Sequence, residues 1–317
     1  MSEEHTDNTE AEAADELRAA MGAVKLSFSW VGTQKKLSDR QMQQAAESFN
    51  AATDLVTASK RLFDTKRASY RALTAIKSQA TNYWRAMTLP FPQDGIRLIK
   101  QSDVSAFEEK MREFQEQLKA AAATLQLEYE EIKQQAREKL GELYNETDYP
   151  PSIEHVFGMR WEYPSIDAPD YLLQYNPDLY AQEQQRVQEK FETAVLMAED
   201  AFAEKLQELV DHLIERLTDT PDGTTKRFHK SVIENFKEFY DNFQHMNVRS
   251  NQQLNDLVKQ AADITAGFDP AALRNRPDLR QQLTAQISTV KTALNDLVVD
   301  APARRVIRMA ATDPATN

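Results

Sequence analysis

The sequence predicts a mainly α-helical protein: an elongated long-helix hairpin plus a helical bundle, with one small two-stranded β-ribbon. Three observations lead to that fold class. Glycine is scarce, with 7 in 317 residues, roughly 2% against a typical ~7%. Strand- and turn-rich chains need glycine for positive φ, so its scarcity favours long helices. Ala, Glu, Gln, Leu, Lys and Arg, all strong helix formers, dominate the middle of the chain. Apolar residues recur there in steps of three and four.

Residues 1–20 carry seven acidic side chains, one basic one and no aromatics, the composition of a disordered acidic tail. Residues 21–176 read as strand, long helical hairpin, strand and proline/aromatic junction. Val24, Leu26, Phe28 and Trp30 alternate with Lys25, Ser27 and Ser29, the period-two pattern of a half-buried strand. Ser38 and Gln41 form a capping box, and Met42, Ala46, Phe49 and Val56 begin an apolar stripe. Helical pattern continues, with a break near Asp64–Ser69, until Leu89-Pro90-Phe91-Pro92 ends it. The next helix opens near Ser102–Asp103 and runs to about Tyr144, with Phe107, Met111, Phe114, Leu118, Ala121, Leu125, Tyr129, Ile132, Ala136, Leu140 and Leu143 in its stripe. Roughly 40 helical residues span about 60 Å, the length of a hairpin arm.

Residues 145–177 hold five of the twelve prolines. Within them Phe157, Met159, Trp161 and Tyr163 alternate with Gly158, Arg160 and Glu162, a second strand signal. The two strand candidates bracket the hairpin, so they are expected to pair and close its base.

Residues 177–300 read as a long helix and a C-terminal bundle. Asn176-Pro177 is a cap followed by proline at the first helical position. Val187, Phe191, Val195, Ala198, Phe202, Leu206, Leu209, Leu213 and Leu217 then step 4-4-3-4-4-3-4-4, an eleven-residue period that favours straight to slightly right-handed packing. Thr220-Pro221-Asp222-Gly223 is a turn, and helix resumes through Val232, Phe236, Phe239 and Phe243. Ser250 with Gln253 and then Asp269-Pro270 start short helices. Pro277 leads into a last one carrying Leu279, Leu283, Ile287, Val290, Leu294 and Leu297. Residues 301–317 are a flexible tail.

The formal net charge of −12 disfavours a general nucleic-acid coat. The absence of cysteine excludes disulfides, thiol nucleophiles and thiolate metal sites, and suits a reducing compartment. The N-terminal residues show no apolar signal region, and no run approaches eighteen apolar residues; a cytoplasmic location is expected, with no membrane partner. No nucleophile elbow, phosphate-cradling glycine loop or dinucleotide fingerprint occurs. The best metal-like constellation, Glu208, Asp211, His212 and Glu215, shares one helical face but lacks the paired Glu-x-x-His spacing of a di-iron bundle. A solvated acidic face is the simpler reading. The expectation is therefore a non-enzyme with no catalytic, cofactor or metal residues.

The sharpest charge feature is Lys60–Lys100, with nine basic residues and two acidic ones, against twelve acids and six bases in residues 101–150. If this segment is helical, Lys60, Arg67, Arg71 and Arg85 fall within roughly a 40° arc. Lys60, Arg61, Lys66, Arg67, Arg71 and Arg85 are accordingly candidate partner-binding residues. Their partner is a protein or the chain's own acidic helices; nucleic acid is the alternative. A second candidate surface is aromatic, comprising Phe157, Trp161, Tyr163 and Tyr171, and it also reads as core beneath a proline-rich loop.

The segments Ser59–Lys66, Tyr83–Pro92, Gly95–Ile99 and Asn176–Tyr180 resemble a family of helical proteins of unknown function from bacteria and tailed phages, over about residues 20–300. Some of its members are encoded near a MoxR-type AAA+ ATPase and a von Willebrand factor A protein. The resemblance implies an adaptor role beside an ATPase, in the host cytoplasm if phage-encoded, and no catalytic residues. The functional expectation is a non-enzymatic helical protein acting through protein–protein contacts as an assembly or adaptor component, with self-association also open. A nucleic-acid-binding accessory protein using residues 60–100 is the alternative.

Overall fold

The computed structural model describes residues 3–218, 228–248 and 251–300. The expected turn at 220–223, the Ser250 cap and the tail 301–317 lie outside the described residues.

In chain order the elements begin with α1 (Glu3–Ala20), β1 (Met21–Ser29), β2 (Gln34–Lys36), α2 (Asp39–Ser48), β3 (Ser59–Arg61), α3 (Ala68–Ala86), β4 (Thr88–Pro90) and β5 (Ile96–Lys100). They continue with α4 (Val104–Leu127), α5 (Tyr129–Leu140), β6 (Gly158–Glu162), α6 (Tyr171–Tyr175) and α7 (Pro177–Leu217). The remaining helices are α8 (Ser231–Met246), α9 (Gln252–Ala266), α10 (Pro270–Asn275) and α11 (Pro277–Asp300). The chain is mainly α with a small antiparallel sheet. It divides into two compact units, Arg18–Lys190 and Met1–Leu17 with Phe191–Asn317, so the division falls inside α7 rather than at the expected 176/177.

In the unit Arg18–Lys190 the two predicted strands do pair: Lys25–Ser29 of β1 lie antiparallel to Gly158–Glu162 of β6. The expected two-stranded ribbon is nevertheless corrected to a four-stranded sheet of order β4-β5-β1-β6. The first half of β1, Met21–Lys25, pairs with β5, and β5 pairs with β4. Ile96, Leu98 and Ile99 are buried and favour a strand. Gly95 supplies the positive φ of 75° that the preceding turn requires. Pro90 occupies the edge strand, where its missing N–H interrupts no ladder.

The helical pattern expected from Ser38 to Leu89 does break near Asp64–Ser69, with α3 starting at Ala68, but its first part is corrected. The Ser38–Gln41 capping box is present, but α2 ends at Ser48, and Asn50 turns the chain at φ 50°, a conformation asparagine tolerates. Strand β3 then pairs with β2. The 40-residue arm is in fact two helices, α4 and α5, separated at Glu128. Its stripe lies inward as expected, with Phe107, Met111, Phe114, Leu118, Leu125, Tyr129, Ile132 and Ala136 all buried. Helix α3 packs on α4, where the Tyr83 and Phe107 rings stack at 5.9 Å.

In the second unit, residues 3–17 of α1 correct the expected disordered tail. Ala13, Ala14 and Leu17 are buried, a short apolar face that the acidic average composition conceals. The eight stripe residues of α7 that fall in this unit, Phe191 to Leu217, are all buried, as is Val187 in the other unit. Phe202 meets Phe243 edge-on at 5.0 Å, and Val232, Phe236 and Phe239 complete the inner face of α8. Asp269 caps α10 by accepting from the Ala271 N–H, and the buried Arg280 donates to the Leu273 carbonyl at 2.6 Å, satisfying an otherwise orphaned helix-end acceptor.

Candidate functional site

The basic segment does not form one helical stripe. Lys60 sits in β3 with its side chain 6% exposed, and its Nζ lies 2.6 Å from Asp148 Oδ2. It also donates to the Leu143 carbonyl. Lys35 reaches the other Asp148 oxygen at 2.6 Å. The Asp148 side chain is 2% exposed; desolvation pushes its pKa up, but the hydrogen bonds and charges of Lys35 and Lys60 outweigh that and hold it below the ordinary value. Lys60 is thus an internal structural cation, a correction to its assignment as a contact residue.

Arg67 is likewise engaged. Its guanidinium bonds Glu128 and Glu131, each at 2.7 Å, and Ser69 Oγ donates to Glu128 at 2.8 Å. These donors lower the Glu128 pKa, with Arg67 the larger cause. They meet the chain at the break between α4 and α5. With Glu128 about a third and Glu131 more than half exposed, solvent screens the pairs. Replacing Arg67 by Ala is expected to cost about 1 kcal/mol, with the loss shrinking at 1 M salt; urea melts at two salt concentrations check it.

Further along, Arg97 donates to Thr88 Oγ1 at 2.7 Å and to the Thr88 carbonyl at 2.8 Å. Burial, with the charge of Arg85, lowers its pKa to about 10. Arg61, Lys66, Arg71 and Arg85 remain exposed.

Arg61 lines an open cleft of about 280 Å³ between the β3 end and α5, with Leu62, Phe63, Ile132, Ala136 and Lys139 among its other walls. The contribution of α5 was missed from the sequence. Lys139 shares the last turn of α5 with Arg137, and nothing local marks it as a neighbour of Arg61.

The aromatic group separates into core and surface. Phe157 is 5% exposed, with Trp30 edge-on at 4.9 Å and Tyr70 at 6.4 Å; this corrects its assignment as a contact residue. Trp161 Nε1 and Tyr163 Oη both donate to Glu108 Oε1, tying β6 and its following residue to α4. Burial raises the Glu108 pKa, but these two donors and Arg112 lower it further, and the net shift is downward. Tyr171 is 62% exposed, and nearby Leu173, Tyr175 and Leu179 are 54%, 83% and 37% exposed. Sequence reasoning missed Leu173 and Leu179. The helix break at Asn176, whose side chain accepts from the Leu179 N–H, is a local signal that this segment leaves the core.

Of the acidic constellation on α7, Glu208 pairs with Lys205 and Asp211 with Lys291. Among the described residues, no group of three or more His, Asp or Glu side chains is placed to hold a metal ion, and no helix is long and apolar enough to cross a membrane. No family model, curated protein or solved structure matches the chain.

Proposed function

We propose that this chain is a non-enzymatic binding component, acting through protein–protein contacts as an assembly or adaptor component. The observation that carries the reading is the exposure of Tyr171, Leu173, Tyr175 and Leu179 within nine residues of chain. Large exposed side chains grouped in this way suit a partner interface, and tyrosine in particular is enriched among residues that dominate binding. The internal pairing of Lys60 and Arg67 supports the same reading, since two of the six cations proposed for phosphate tracking are committed to the chain's own carboxylates. An AAA+ ATPase is the partner class that the sequence resemblance implies.

The test compares wild type with a variant carrying Tyr171→Ser, Leu173→Ser and Tyr175→Ser. Pull-downs from the native host, with and without nuclease, are read by mass spectrometry. The expected result is a nuclease-resistant protein set that wild type retains and the variant loses, with melting temperatures equal within about 2 °C. Identical sets overturn the assignment, and a set lost on nuclease treatment favours the nucleic-acid reading.

A further inference from the structure

We propose that the cleft between the end of β3 and α5 binds a small apolar carboxylate, one anionic head on an aliphatic body of a few carbons. Its floor is Leu62, Phe63, Ile132 and Ala136, each less than a tenth exposed. This is the apolar lining that small-molecule sites present, and its volume of about 280 Å³ lies at the lower edge of their range of ~300–1,000 Å³.

The rim supplies the charge selection. Arg61 and Lys139 are exposed, and among the described residues neither side chain makes an ion pair or hydrogen bond. Of the other charged groups in the lining, Arg67 is paired, while the exposed Asp64 carboxylate offsets one of the two cations and leaves the rim net positive. Arg67 serves Glu128 and Glu131, and Asp64 Oδ1 accepts from the Lys66 N–H. Two uncommitted cations over an apolar floor attract a single anionic head and repel a cationic one, a local preference that acts against the field of a chain of net charge −12. An alcohol of the same length fills the floor but leaves both cations unanswered. The proposal is independent of the protein-contact surface at 171–179.

Titration of the full chain with hexanoate, hexanol and hexylamine tests it, by calorimetry or saturation-transfer NMR. Hexanoate is expected to bind about tenfold more tightly than either of the others, and to weaken as salt rises. Combining Arg61→Gln with Lys139→Gln should bring hexanoate down to the level of hexanol, without a change in melting temperature or hexanol binding. Equal binding of the three probes, undiminished hexanoate binding by the double variant, or no binding at all overturns the proposal.

Discussion

Replacing Asp148 by Asn is expected to lower stability by about 3–5 kcal/mol, the cost of leaving a buried charge without its partner. Lys60, 6% exposed, cannot reach water without moving β3. Only neutral oxygens, the side-chain amide and the Leu143 carbonyl, would then face its charge. The melting temperature should fall on the order of 10 °C. The pH dependence has a definite sign. Because the folded carboxyl titrates below its ordinary value, its contribution is present above about pH 4 and is lost as pH falls through the lower folded value. The acid limb of the stability curve should therefore be shallower in Asp148→Asn than in wild type. Combining Lys60→Met with Asp148→Leu should recover most of the loss, since apolar replacement of both partners removes the stranded charge. A single variant melting within about 2 °C of wild type would show that the pair contributes little.

The second large effect concerns Phe157. Phe157→Ala should cost about 3–5 kcal/mol by opening a cavity among Trp30, Tyr70 and the sheet, whereas Tyr171→Ser should stay within about 0.5 kcal/mol. Urea unfolding of the two variants checks the contrast. Both residues belong to one aromatic group in the sequence, yet one is 5% and the other 62% exposed. Comparable losses from the two substitutions would overturn the division of that group into core and surface.

What the sequence shows well are features whose physics is local. The nine stripe residues of α7 are all buried, because a helix repeats every 3.6 residues and cannot hide its apolar face from the spacing. The caps at Ser38 and Asp269 are made by side chains within three residues of the N–H groups they serve, so short motifs suffice to find them. Alternation alone made β1 and β6 legible as strands, and their pairing across more than a hundred residues followed from their bracketing the helices between them.

Other features were visible but passed over. Asp94-Gly95 before Ile96–Lys100 is a turn signal ahead of a strand with two isoleucines, while the prolines at 90 and 92 mark a helix end just as strongly. The helix α1 was obscured by averaging, since seven acids in twenty residues outweigh Ala13, Ala14 and Leu17 in any composition measure.

By itself the sequence determined the helical class, the inward faces of the long helices and the absence of thiol chemistry. Only the tertiary structure decided which charges and aromatics remain for a partner. Lys60 meets a carboxylate 88 positions away and Arg67 meets two more than sixty positions away, so their engagement is a consequence of packing rather than of spacing. Arg61 and Lys139 share a cleft for the same reason. A charged side chain's availability depends on the free energy of its surroundings, set by burial and by partners brought from elsewhere in the chain, and neither is written in the local pattern.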